Sequence, residues 1–341
     1  MNKTFWKETI SFGNLTVPRI MAAPMDGITD SPFRQIVRCF STDELIFTEM
    51  RHVAQVVNEK DKKAIRYAPH EKPIAYQFSA NKIDFVERAT EMVIECGYDM
   101  INLNSSCPAR VVVGSGSGSA LMANMPLLET LIKLFIKTIN GRIPFTLKLR
   151  AGFKEKNALD VAKMAQDCGV DGVIIHPRTQ PGGFTSELDF DIVQQIKQAI
   201  SMPVIFSGNI TSLETAQRAR DLTGVDGVMI GRALWGSPWK MLEIKNTIDG
   251  KPWTPTPAIA IACLIKHIDL CEEQFGPGGF VRVKKHVPEY INSLPSASLW
   301  RHTLLRATTV NQLRTLIKQL ITENNLKQTT THVLETLCKP S

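Results

Sequence analysis

One rhythm in the sequence limits the possible folds more than any other feature. Eight short apolar runs recur between residues 19 and 232, each ending in polar residues and most separated by an amphipathic stretch of helical period. They cover residues 19–23, 45–48, 73–76, 100–103, 145–152, 172–178, 203–209 and 227–232. Runs that are apolar throughout suit strands buried on both faces, and alternation with helices makes the sheet parallel. Eight such units in about 220 residues fit a closed (β/α)8 TIM barrel better than an open sheet. The polar residues sharpen the choice. Gln77, Asn104, His176, Asn209 and Arg232 each stand at or just past the carboxyl end of a different run. A barrel gathers those ends at one mouth, whereas an open sheet scatters some of them.

Local signals fill in the connections. Gly13-Asn14 suits a tight hairpin turn within residues 10–17. Asp30 is placed to cap a helix that has Pro32 in its first turn. Further helices are expected over 83–96, 126–139, 158–168, 189–200 and 213–222. After Trp253 the rhythm changes. Pro252, Pro255 and Pro257 mark a linker, and apolar residues at helical spacing predict helices over 258–275, 281–291, 299–307 and 310–321. The expected organisation is a barrel over residues 1–250, a small helical domain over 251–325 and a tail over 326–341, with one or two helical turns at 331–338.

Composition excludes several classes. No uncharged apolar run reaches the length of a membrane span, and the first residues lack the apolar core of a signal peptide. Cysteines 39, 96, 107, 168, 263, 271 and 338 are odd in number and form no Cys-x-x-Cys pair. That argues against a disulfide framework and against a structural metal site, and it fits a reducing cytoplasm. Net charge is +7, and residues 251–341 hold 11 Lys/Arg against 6 Asp/Glu. Such a surplus is either a solvated helical face or a contact for a polyanion.

The chemistry centres on residues 100–110, a buried strand that runs into Asn104, Cys107 and Pro108 with a Gly/Ser-rich segment beyond. A thiol just past a strand end sits where this fold keeps its reactive groups, although free cysteine is more often a small buried hydrophobe. Lys148 interrupts an apolar run. It either faces a ligand in the barrel mouth or reaches outward between helices. Ser207-Gly208-Asn209 and Gly231-Arg232 end the last two runs, the usual phosphate position of the fold. Gln77 offers a donor and an acceptor together, while His176 could simply shape a turn. Residues 111–120 read as a mobile loop over the site, without the Gly-Lys-Ser/Thr of a nucleotide-binding loop.

Taken in order, Ala23-Pro-Met-Asp-Gly-Ile-Thr-Asp30, Gln77-Phe78, Asn104-Ser-Ser-Cys-Pro108, Gly118-Ser-Ala-Leu121, Leu147-Lys-Leu-Arg-Ala-Gly152, His176-Pro-Arg-Thr179, Ser207-Gly-Asn-Ile210 and Gly231-Arg-Ala233 resemble the tRNA-dihydrouridine synthases. Arg282-Val-Lys-Lys-His286 is similar to a basic element of that family's helical domain. The resemblance implies an FMN-containing TIM barrel that uses NADPH to reduce the uracil C5=C6 bond in tRNA. It implies that Pro24, Met25 and Asp26 line the flavin, that Gln77 and Lys148 contact its ring, and that His176 lies beside it. Ser207, Gly208, Asn209, Gly231 and Arg232 would then hold the phosphate, with Cys107 as the proton donor. A thiol's ordinary pKa of about 8.5 suits that task near neutrality. Asn104 and Arg178 fall to the substrate base and its loop, and Arg282, Lys284, Lys285 and His286 to the RNA. No metal is implied, and a cytoplasmic monomer is favoured. Ser106, Asp26, Pro177 and the Gly/Ser segment depart from the family's usual residues. The alternatives are a small-molecule FMN oxidoreductase of the dihydroorotate dehydrogenase type and a non-catalytic RNA-binding factor.

Overall fold

The computed structural model describes residues 3–294 and 296–326. The turns expected at 331–338, and nearly all of the tail expected over 326–341, lie outside them. The chain begins with β1 (Thr9–Phe12) and β2 (Leu15–Pro18), an antiparallel hairpin in which Phe12 stands opposite Leu15. Gly13-Asn14 is therefore the two-residue turn, and Gly13 has the positive φ of +51° that such turns favour.

Eight strands follow: β3 (Ile20–Ala22), β4 (Ile46–His52), β5 (Ile74–Ser79), β6 (Met100–Ser105), β7 (Phe145–Gly152), β8 (Gly172–Thr179), β9 (Val204–Ser207) and β10 (Gly227–Ile230). They pair in parallel in the order β3-β10-β9-β8-β7-β6-β5-β4. The Ala22 N–H donates to the Leu45 carbonyl at 2.9 Å and brings the first and last strands together. The expected (β/α)8 barrel is what the chain forms. Every residue of β5, β6 and β7 is buried, which is why these strands are apolar or internally paired along their whole length.

The hairpin closes the amino ends of the strands. Ile10, Phe12 and Val17 join Met21, Met100 and Ile174 in one apolar cluster. The Phe12 ring lies 2.7 Å from where a Cβ on Gly172 would stand, so β8 must open on a residue without a side chain.

Several boundaries differ from the sequence reading. β6 continues through Ser105, because Asn104 and Ser105 pair with Lys148 and Leu149. β4 runs on to His52 with a register shift between Phe47 and Met50, a bulge that periodicity does not reveal. The first outer helix begins at Val86 rather than 83, since Phe85 holds a φ of +67° that no helix accepts. Short helices at Lys3–Lys7 and Val53–Asn58 carry too few residues to show a period. The single helix expected over 281–291 is two, Gly279–Lys284 and Val287–Tyr290. Pro288 has no N–H to continue the helical ladder there.

Packing divides the chain into two compact units. One contains residues up to Asp26 and Asp43–Gly231; the other contains Gly27–Thr42 and the chain from Arg232 onward. Helix Ser31–Arg38, capped by Asp30 as expected, therefore belongs with the helical unit rather than with the outer ring of the barrel. Its Ile36 shares an apolar core with Leu264, Val287, Ile291 and Leu304.

Candidate active site

Cys107 is half-buried on the loop that leaves β6, and its backbone is held from several directions. Asn104 Oδ1 accepts the backbone N–H of Ser106 at 3.0 Å and of Cys107 at 2.8 Å, an Asx-type turn that fixes the loop's departure from the strand. The Cys107 carbonyl accepts from the Ser119 N–H at 3.0 Å and the Ser119 hydroxyl at 2.9 Å. Gly118 makes that approach possible. It has φ +60°, and a Cβ on it would lie 2.8 Å from the Cys107 oxygen. Ser117, Gly118 and Ser119 are buried, and Asn81 Nδ2 donates to the Ser115 carbonyl at 2.7 Å. The segment read as a mobile loop is thus tied down, by glycine and serine serving as close-approach residues rather than as a linker.

Below this loop the strand ends share a buried amide chain. Asn104 Nδ2 donates to Gln77 Oε1 at 2.9 Å, Gln77 Nε2 to Asn102 Oδ1 at 2.8 Å, and Asn102 Nδ2 to Thr146 Oγ1 at 2.9 Å. Register brings these groups together, because Gln77 stands opposite Asn102, Asn102 opposite Thr146, and Asn104 opposite Lys148. Lys148 points inward as one of the two options required. It is 8% exposed, and its ammonium donates to Ser106 Oγ at 3.2 Å. Burial first, then the neighbouring Arg150 charge, push its pKa down to about 7, with Cys107 acting in the opposite direction.

Arg150 is 1% exposed and joins two loops. Nε donates to the Ser106 carbonyl at 2.7 Å, and Nη1 donates to the carbonyls of Thr179 and Gly183 at 2.9 Å each. Burial lowers its pKa to about 10, so it remains a cation at neutral pH. His176 is buried beside it in register, with the half-exposed Phe184 ring edge-on to the imidazole at 5.9 Å. Arg178, expected to face substrate, is buried and donates through Nε to the Ser186 carbonyl, so it shapes the loop after β8.

The remaining expected residues fall at strand ends too. Pro24 and Met25, both partly buried, follow β3 directly. Asp26 is exposed and lies 3.4 Å from Arg51, which also pairs with the buried Glu49 at 2.6 Å. Ser207 ends β9. Gly208 and Asn209 turn the chain, with Asn209 at φ +50°, and Gly231 follows β10. Arg232 is exposed and opens the turn Arg232–Leu234.

In the helical unit the basic element is divided. Arg282 lies over the Phe275 ring at 4.2 Å and 3.7 Å from Asp30; Lys284 donates to the Ala307 carbonyl at 2.8 Å. Lys285 is partly exposed. His286 is fully buried, stacked on Phe33 at 5.2 Å, and has no surface to offer an RNA. A histidine at that spacing packs instead of binding.

Sequence reasoning missed Asn102, Thr146, Arg150 and Phe184. The spacing of Lys148 and Arg150 could have revealed Arg150, since residues two apart on a strand share a face. Phe184 carried no signal. Among the described residues no cluster suits a metal ion, and no helix is long and apolar enough to cross a membrane.

Solved structures share the fold of this barrel. An old yellow enzyme homologue from Zymomonas mobilis superposes with a TM-score of 0.56 at 14% identity, covering 73% of this chain and 94% of that one. Morphinone reductase in complex with tetrahydroNAD gives 0.53 at 13% identity, covering 74% and 92%. These likenesses concern the fold. Sequence goes further, for the family model described as dihydrouridine synthase (Dus) matches residues 21–330. The tRNA-dihydrouridine synthase B of Pectobacterium carotovorum is 33% identical over 292 residues, 84% of this chain and 90% of that protein. That of Pseudomonas aeruginosa is 30% identical over 322 residues, 92% and 96%. The chain belongs to the dihydrouridine synthase family. It is an enzyme of dihydrouridine formation in tRNA, and this reading stands ahead of the small-molecule oxidoreductase.

Proposed function

We propose that this enzyme reduces the C5=C6 bond of uridine in tRNA, with FMN held in the barrel mouth, NADPH as the source of electrons and Cys107 as the acid that protonates C5. The observation that carries it is a cysteine whose backbone N–H is held by Asn104 on a strand-end loop, with the buried basic groups of Lys148 and Arg150 bonded to the preceding Ser106. The residues fit a flavin. An ammonium so deeply buried, with a single hydroxyl as its protein hydrogen-bond partner, is suited to the anionic edge of a reduced ring. Gln77 is fixed beside it by two amide partners. Pro24, Met25, Asp26 and His176 would line the ring. Ser207, Gly208, Asn209, Gly231 and Arg232 would hold the phosphate, with the capped helix Leu213–Thr223 beginning a few residues on.

When bound, FMN would supply the hydride chemistry at C6, with NADPH as the reductant. The chain's own residues do the rest. Cys107 donates its proton to C5 and is reprotonated from solvent. Asn104 keeps the Cys107 loop in place, Arg150 holds the loops after β6 and β8 together, and Phe184 offers an apolar face at the mouth. The target base must leave its stack to enter such a site. The cationic residues Arg282 and Lys285 engage the RNA backbone. A tRNA substrate makes the cytoplasm the site of action.

The direct test supplies tRNA lacking dihydrouridine to purified, flavin-loaded protein with NADPH and measures dihydrouridine by mass spectrometry of nucleosides. Formation at defined positions is expected. A flavin-loaded protein that oxidises NADPH yet leaves every uridine intact would defeat the proposal.

A further inference from the structure

The amide chain beneath Cys107 has a direction, and each of its two ends is anchored to suit it. Backbone N–H groups can only donate, so the two that reach Asn104 from Ser106 and Cys107 oblige its Oδ1 to face them. Its Nδ2 must then face Gln77, which answers with Oε1 and turns Nε2 toward Asn102. Asn102 answers with Oδ1 in turn and passes Nδ2 to the Thr146 hydroxyl, whose proton faces the Ile101 carbonyl at 3.5 Å and Met100 Sδ at 3.4 Å. All four side chains are at most 6% exposed, so no solvent dipole competes with this order. Asn102 and Thr146 occupy the layer beneath Asn104 and Lys148, too deep to reach a substrate.

We propose that Asn102 and Thr146 are positioning residues for the reaction: by anchoring the far end of the chain they hold the Gln77 and Asn104 amides in the orientation that the loop N–H groups require, and through Asn104 they keep the Cys107 loop in place. The inference rests on the role given to Cys107. If the Thr146 hydroxyl is removed, Asn102 Nδ2 loses its acceptor, and only the donor from Gln77 is left to keep the amide from rotating. A rotated Asn102 turns an N–H toward an N–H of Gln77, and the conflict propagates to Asn104.

The test uses flavin-loaded protein. Asn102→Leu and the isosteric Thr146→Val break the chain at different points, while Thr146→Ser keeps the hydroxyl. Two quantities are read. One is the rate at which iodoacetamide alkylates Cys107 without RNA, followed on the Cys107 peptide by mass spectrometry. The other is kcat and KM for tRNA. Asn102→Leu should lower kcat by about tenfold or more and change the alkylation rate severalfold, with KM for tRNA little altered. Thr146→Val should do the same to a smaller extent, and Thr146→Ser should match the parent in both. Folded Thr146→Val protein with parental alkylation and kcat would overturn the proposal, as would Thr146→Ser impaired as strongly as Thr146→Val. A Cys107→Ala control keeps the two readings apart. Turnover surviving that change removes the acid role of Cys107, while the alkylation arm still reports whether Asn102 and Thr146 position the thiol.

Discussion

Asn102, Gln77 and Asn104 in the barrel are as buried as core residues, and they bond to one another and to backbone N–H groups in a fixed order. In the helical unit His286 is equally buried, yet neither of its ring nitrogens meets a hydrogen-bond partner among the described residues. It stacks on Phe33 and stands edge-on to His267 at 4.5 Å, and only His267 reaches a partner, Tyr290, at 3.2 Å. The difference teaches what burial of a polar group accomplishes. Bonded in series, buried amides hold the backbone of the Cys107 loop in one geometry. The two buried imidazoles are neutral flat rings that fill space, and both are held far below the usual histidine range, His267 at about 3 and His286 at about 2, chiefly by desolvation.

The sharpest way to break this comparison is at the thiol. Cys107→Ala should reduce turnover by about 10² to 10⁴-fold while leaving tRNA affinity in a gel-shift assay unchanged. A loss of affinity instead would make Cys107 a binding residue.

Lys148 comes next, because its charge is both costly and useful. Its pKa falls from 10.5 unfolded to about 7 folded, so between those values the unfolded chain binds more protons and stability rises with pH. In flavin-free protein Lys148→Met should therefore be the more stable form at pH 7, by on the order of a few kcal/mol. The advantage should shrink as pH rises toward 10, measured by urea unfolding, and turnover should drop. Parallel stability curves would mean that the ammonium is not desolvated.

The imidazole pair responds in the acid range. With folded pKa values below the unfolded 6.5, the pair's stabilising contribution is complete above pH 6.5 and is lost as pH falls toward 3. The slope due to both residues is about 2 to 3 kcal/mol per pH unit near pH 5. His286→Phe should roughly halve it and leave Tm at pH 7.5 no lower. An unaltered slope would show that His286 is solvated.

The smallest effects separate the two neighbouring lysines. Lys285→Ala should weaken tRNA binding and reduce the salt slope by roughly 0.7 to 0.9, with kcat unchanged. Lys284→Ala, which frees the Ala307 carbonyl, should appear instead as a lower Tm. Equal salt slopes in both variants would erase that distinction.

The barrel was legible because its signals are local and repeated. Each of β3 to β10 is an apolar run, and the polar residues that end them mark the mouth. Cys107, Asn104, Gln77 and Lys148 stood out for the same reason, as polar groups interrupting or ending apolar strands. His286 was misjudged because motif spacing places it among cations, whereas helix Ser31–Arg38, distant in sequence, closes over it with Phe33. Arg178 likewise stood at a strand end, but its partner, the Ser186 carbonyl, became visible only once the loop after β8 had folded back.

Sequence alone therefore determined the strand count, the parallel pairing and which strand ends carry polar groups, since side-chain periodicity and turn residues act over a few positions. Tertiary structure decided which polar side chains meet. The order from Thr146 through Asn102 and Gln77 to Asn104 depends on the stagger between β5, β6 and β7. Stagger is set by closing the whole barrel, and no single strand contains it.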